Sequence, residues 1–248
     1  MNVDMEYCDP FDGTQENIWM KVEHCGRYLF AADYIRENCV AGGQILDAAC
    51  ADGYGTEMLC GHGLTVTGAD RSEEYLALAR KRKCPAKFIQ LDFDEKEMPF
   101  PKGGLHAVVC FETIEHVSYP EKLLGEFARI LRPEGIMLLS FPNNLYEKLD
   151  ENGNNKDPYH KHIFRPDDIF RMLGTSFEIL DVLGQFLCNQ AYALESAAVK
   201  SGALKPAEVA TLYRYDPTSI RFMARALAYP CCLHIDDTYS YLIIARKK

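Results

Sequence analysis

A chain of 248 residues, 48% of them hydrophobic, can bury one large core, or one core with an appended lid, but not three. Its formal net charge of −9 disfavours nucleic acid as a partner, because a phosphate-backbone footprint needs a basic stripe to displace counterions. The start MNVDMEYCDP lacks the basic and apolar regions of a signal peptide, and no run of about 18 apolar residues occurs, so a soluble, cytoplasmic protein without a membrane partner is expected. Ten cysteines fall singly apart from Cys231-Cys232, with no C-x-x-C spacing. Reduced, mostly buried thiols are therefore expected, not a disulfide framework or a zinc site.

In chain order, residues 1–40 read as a helical cap, since NIWMKVEHCGRYLFAADYIREN carries apolar residues at helical spacing before the Gly42-Gly43 break. Apolar strands are predicted at 44–48, 65–70, 87–91, 106–111, 135–141, 178–183 and 239–247, with helices between the first five. Such alternation predicts an α/β fold: a Rossmann-like, seven-stranded, mostly parallel sheet with helices on both faces and an antiparallel last strand. The basic run RKRK (80–83) falls at a predicted helix end, where cations complement the dipole. On this reading the core spans 41–187 and closes with a last strand in 238–248. Between them, 188–237 forms a helical insertion or lid, which carries Arg214, Arg221 and Arg225 and could offer a cation to a phosphate or carboxylate on an acceptor.

The stretch ILDAACADGYGT (45–56) ends a strand at an acid, Asp47, and then runs through small residues, so a ligand can come close to the backbone before the next helix begins. Neither GxGxxG nor GxxxxGK[ST] matches, and an acid at the turn suits a cation better than a pyrophosphate. Four further motifs follow: Asp70 at the end of TVTGAD, Asp92-Phe93 in FIQLDFDEKEMPF, FETIEHV after the fourth strand, and ILRPEGIMLLSFPN before the final YSYLIIARKK. In this order they resemble the class I S-adenosylmethionine-dependent methyltransferases over roughly residues 20 to 248, and the segment EHCGRY is similar to one in small-molecule members of bacterial polysaccharide or natural-product gene clusters.

The resemblance implies S-adenosylmethionine as cofactor, with Asp70 on the ribose, Asp92 and Phe93 at the adenine, and Arg27 and Tyr28 over the carboxylate. It also implies contacts from Asp47, Ala49, Cys50, Ala51, Gly53, Gly55, Arg71 and Phe111. Ala49 and Ala51 stand where the family has glycine, a substitution that is tolerated where φ is negative. If a helical turn follows the fourth strand, Glu112, Glu115 and His116 share one face, with His160 or His162 of DPYHKHIF arriving from beyond the fifth. That group resembles the divalent-metal site of the 2′-O-methyltransferases of plant small RNAs. Equally, His116 resembles the metal-free base or acceptor-orienting histidine of small-molecule members, with His160 lining the acceptor pocket, so the metal ligand set stays open.

The expected function is methyl transfer to a hydroxyl of a sugar, sugar nucleotide or natural product. Alternatives are N- or C-methylation, metal-assisted methylation of a glycan or RNA, and a non-catalytic cofactor-binding role. The partners expected are a small-molecule acceptor and, for assembly, a homodimer.

Overall fold

The computed structural model describes residues 8–14, 17–39, 42–95, 97–147, 149–152, 155–205 and 216–248. Seven strands, β1 (Gln44–Ala48), β2 (Thr65–Asp70), β3 (Lys87–Gln90), β4 (Leu105–Cys110), β5 (Leu131–Pro142), β6 (Phe177–Gly184) and β7 (Ser240–Lys247), form one sheet in the order β3-β2-β1-β4-β5-β7-β6. All neighbours pair in parallel except β7, which runs antiparallel between β5 and β6. Strands such as β1 and β4 are buried nearly throughout because helices cover both faces.

Alternation along the strands sends Ile45, Val66, Val109 and Leu138 to one face, beneath α1 (Ile18–Asn38), α2 (Tyr54–Gly61) and the helix Pro217–Leu227. Leu46, Val108, Met137 and Ile243 go to the other, beneath α4 (Pro120–Ile130) and α5 (Pro166–Leu173). Among the described residues α3 (Glu73–Ala79), α6 (Phe186–Lys200) and α7 (Pro217–Leu227) complete the α-helices. Helix starts follow ordinary capping chemistry: the Ser72 side chain accepts from Tyr75 N, and Asp216 accepts from Thr218 N and Ser219 N ahead of Pro217.

Two expectations need correction. Residues 91–104 between β3 and β4 hold no helix among the described residues; Pro99, Pro101, Gly103 and Gly104 deny the segment a continuous helical backbone. Two arginines of the insertion, Arg221 and Arg225, are engaged by neighbouring side chains of the fold. Ile220 and Ala224 of α7 are buried in the cluster that includes α1, Arg221 lies over the Phe11 ring at 4.6 Å, and Arg225 donates to Asp33 at 2.9 Å. Arg214 lies outside the described residues. All ten cysteines are free thiols, and among the described residues no helix is long and apolar enough to cross a membrane.

The register sets Ala48 beside both Ala69 and Cys110, so β1, β2 and β4 end nearly level. The order reverses direction between β1 and β4, and in open sheets of this kind the crevice at that point, beyond the carboxyl ends, is where ligands bind.

Candidate active site

The floor of that crevice is the turn after β1. Ala49 (φ 58°) and Ala51 (φ 47°) are both left-handed, so the negative φ that would make alanine easy here is absent. A β-carbon in this region costs roughly 1–2 kcal/mol, and the hydrogen bonds explain why it persists. Asp70 Oδ2 accepts from Ala51 N at 2.9 Å, Asp70 Oδ1 accepts from Ser72 N at 2.8 Å, and Ala69 O accepts from Cys50 N at 3.0 Å. One carboxylate at the end of β2 thus holds the turn at the end of β1.

Asp47, Gly53 and Gly55 lie behind the turn and do not border the crevice. Asp47 is fully buried, accepts from Tyr28 Oη at 2.9 Å and from Thr56 Oγ1 at 2.5 Å, and burial pushes its carboxyl up to about 7. A β-carbon on Gly55 would sit 2.0 Å from the Tyr28 ring, and one on Gly53 (φ 80°) would sit 2.9 Å from Phe88. These glycines serve packing between α1, α2 and the sheet.

The crevice opens into a cavity of about 1400 Å³. Small-molecule sites usually need roughly 300–1,000 Å³, so a cofactor and an acceptor fit side by side. Arg27, Tyr28, Ala49, Cys50, Ala51, Asp70, Arg71, Asp92, Phe93, Phe111, Glu112 and His116 line it. Arg27 is 3% exposed; its Nη1 donates to Gln185 Oε1 at 3.0 Å and lies 3.9 Å from Glu112 Oε1. Gln185 also donates from Nε2 to Glu23 O and Ala228 O, tying α1 to the end of α7. Burial, opposed by Arg27, pushes the neighbouring Glu23 carboxyl up to about 7.

The segment after β4 departs from the helical turn expected. Glu112 has φ 44°, which ends any helical run before it starts, and its carboxylate turns to accept from Ser140 Oγ and from Ser240 Oγ at 3.0 Å. It therefore does not join Glu115 and His116. The group that does assemble is Glu115, His116 and His160, whose ligating atoms all lie within 4.8 Å of one another. His116 Nδ1 donates to Tyr159 O at 3.0 Å, and His160 Nδ1 donates to Glu147 Oε1 at 2.8 Å, which leaves each Nε2 as the basic nitrogen. Glu115 is 1% exposed with Oε1 3.9 Å from His116 Nε2, and its carbonyl accepts from Lys161 N and His162 N.

Only His116 of the three borders the cavity; His160 packs edge-on behind it at 4.9 Å and does not reach the wall. His162 donates from Nε2 to Val117 O and stacks on Phe164, a packing arrangement. The cavity wall also includes Trp19, Asn189, Tyr192, Glu195 and Tyr239, none of which the sequence singled out. Their one legible signal is the spacing of 189, 192 and 195, which puts them on one face of α6.

Residues 46–139 match the family described as Methyltransferase domain. The chain is 28% identical over 177 residues, 70% of its length, to a probable S-adenosylmethionine-dependent methyltransferase of Mycolicibacterium smegmatis. It is 33% identical over 110 residues, 42% of its length, to a ubiquinone biosynthesis O-methyltransferase of Dechloromonas aromatica. These stretches span 64% and 46% of the respective relatives, so the chain covers less than two thirds of the curated relatives it matches. Among solved structures, a protein of Pyrococcus horikoshii superposes with a TM-score of 0.59 at 15% identity, covering 96% of this chain and 94% of that one. The cyclase SpnF superposes at 0.56 and 20% identity, covering 88% of this chain and 79% of that one.

The fold is thus that of the Rossmann-like methyltransferases. Residues 46–139 carry a methyltransferase domain, and over a longer stretch the chain is similar to S-adenosylmethionine-dependent methyltransferases.

Proposed function

We propose that the chain transfers a methyl group from S-adenosylmethionine to a hydroxyl of a small-molecule acceptor, with His116 taking the hydroxyl proton. The observation that carries this reading is the placement of His116: a histidine on the wall of a cavity large enough for two ligands, with its proton on Nδ1 held by Tyr159 O. Several residues suit the cofactor. Small side chains at Ala49–Ala51 leave the backbone approachable, and Asp70 and Asp92 present carboxylates at neighbouring strand ends for the ribose hydroxyls and the adenine amino group. Phe93 offers a ring to the base, and Arg27 offers the cation for the carboxylate.

When bound, the cofactor supplies a methyl group already activated on a sulfonium, so the chain's own task is orientation and proton removal. The Tyr159 carbonyl fixes the His116 ring, Glu115 behind it stabilises the imidazolium that proton uptake creates, and the cavity walls hold the hydroxyl in line. Sharing of this fold with a cyclase shows why the function must rest on the site.

A second reading is favoured by one observation, the convergence of Glu115, His116 and His160. The Nδ1–H of His160 on Glu147 is the orientation that metal-ligating histidines adopt, and one acid with two imidazoles suits a divalent transition ion. Turnover with and without a chelator separates the readings. Loss restored by Mn²⁺ or Zn²⁺ supports a metal, whereas unchanged turnover together with an inactive His116→Ala supports the base.

A further inference from the structure

Glu23 is buried in α1 and borders the cavity, yet one of its carboxyl oxygens has no partner in the fold. The residue is 8% exposed, and its Oε1 accepts from nothing among the described residues. Its backbone carbonyl, by contrast, is used, accepting from Gln185 Nε2 at 2.8 Å. Arg27 follows one helical turn later, so the two side chains share a face of α1.

The charges around Glu23 do not balance. Two carboxylates, Glu23 and Glu112, act on one guanidinium, Arg27. Glu112 has Ser140 and Ser240 as donors, while Arg27 Nη1 donates to Gln185 Oε1 at 3.0 Å and lies 3.9 Å from Glu112 Oε1. Glu23 is left with the field of Arg27, which only partly offsets the effect of burial on its carboxyl. A buried carboxylate in this state is costly unless a cation reaches it, and a ligand arriving through the cavity can bring one.

The position on α1 indicates which cation. Tyr28, next to Arg27, donates to Asp47 at the end of β1, so this stretch of α1 lies against the turn that floors the crevice. One turn before Glu23, Trp19 Nε1 donates to Glu195 Oε2 at 3.1 Å, where α6 closes on α1. An α-amino acid carries an ammonium and a carboxylate on one carbon, and Glu23 and Arg27 present the opposite two charges from one helix face.

Resting on the methyltransferase reading, we propose that Glu23 binds the α-ammonium of the cofactor's methionyl end and completes, with Arg27, a clamp for that zwitterion. The clamp fixes the chain that bears the reactive sulfur, and with it the direction in which the methyl group points.

The test is calorimetric titration of the full chain with S-adenosylhomocysteine and two analogues, one with hydrogen in place of the α-amino group and one with hydrogen in place of the carboxyl group. The parent should bind S-adenosylhomocysteine about tenfold or more tightly than the des-amino analogue. Glu23→Gln, which keeps the shape of the side chain, should bring these two within about threefold of each other while the preference over the decarboxylated analogue persists. Equal affinity of the parent for S-adenosylhomocysteine and the des-amino analogue overturns the proposal without recourse to a variant. A Glu23→Gln protein that loses affinity for both in parallel also overturns it, because that marks a merely structural role. So does an unchanged preference, which would leave the carboxylate to an amine on the acceptor. No binding of S-adenosylhomocysteine to the parent overturns the methyltransferase reading itself, and the clamp with it.

Discussion

Two turns leave the sheet side by side, after β1 and after β4, and both force residues other than glycine into the left-handed region, Ala49 and Ala51 in one and Glu112 in the other. They differ in what holds them. The first is closed by backbone N–H groups donating to Asp70 and Ala69; the second is held by the Glu112 carboxylate on Ser140 and Ser240. The first therefore offers a ligand approachable backbone, and the second carries Glu112, Thr113 and His116 to the cavity wall. Strain of this kind persists only where the surroundings over-determine it, and here that happens at the proposed site of cofactor and chemistry.

The largest effect should come from the second turn. With an acceptor in hand, His116→Ala is expected to lower kcat by roughly 10²–10⁴ with little change in S-adenosylhomocysteine affinity by calorimetry. A loss confined to that affinity would assign His116 to cofactor binding and dissolve the contrast between the turns.

Asp70→Ala strikes the first turn. It removes proposed ribose contacts and also the acceptor for Ala51 N and Ser72 N, so affinity should fall by about 100-fold, the equivalent of one to two charge-assisted hydrogen bonds. A variant that binds as tightly as the parent would remove Asp70 from the ribose.

Smaller and opposite in sign is Ala49→Gly or Ala51→Gly. Each relieves a left-handed β-carbon but frees the unfolded chain, for a net gain of about 1 kcal/mol or less. Thermal unfolding should shift up by roughly 2–4 °C per kcal/mol in a chain of this size. A drop in midpoint would mean that the strain lies elsewhere.

A further effect is in pH. Burial raises the folded-state pKa of Asp47 from 3.8 to about 7, so the protonated carboxyl favours the folded form, and that contribution is lost as pH climbs through the interval between these values. Asp47→Asn should therefore flatten the fall in unfolding midpoint between about pH 5 and 7 relative to the parent. Parallel pH curves would show that Asp47 ionises normally.

The sheet and the strand-end acids Asp70 and Asp92 were legible because burial imposes a period on each strand and the strand ends mark the crevice. The missing helix between β3 and β4 was also signalled, by Pro99 and Pro101, but was outweighed by the expected alternation. The positive φ of Ala49, Ala51 and Glu112 was not legible, since it depends on partners such as Asp70, Ser140 and Ser240 that folding brings close. Nor was the Trp19–Glu195 pair, whose members are 176 residues apart and meet only once α6 lies against α1.

The central claim, that this cavity is an S-adenosylmethionine site read by acids at neighbouring strand ends, is met most directly by calorimetric titration of the full chain and of Asp92→Ala with S-adenosylhomocysteine. The account predicts saturable binding of one molecule per chain, weakened about tenfold or more when Asp92 loses its carboxylate. Absence of binding to the parent chain, or equal affinity in the two, would contradict it.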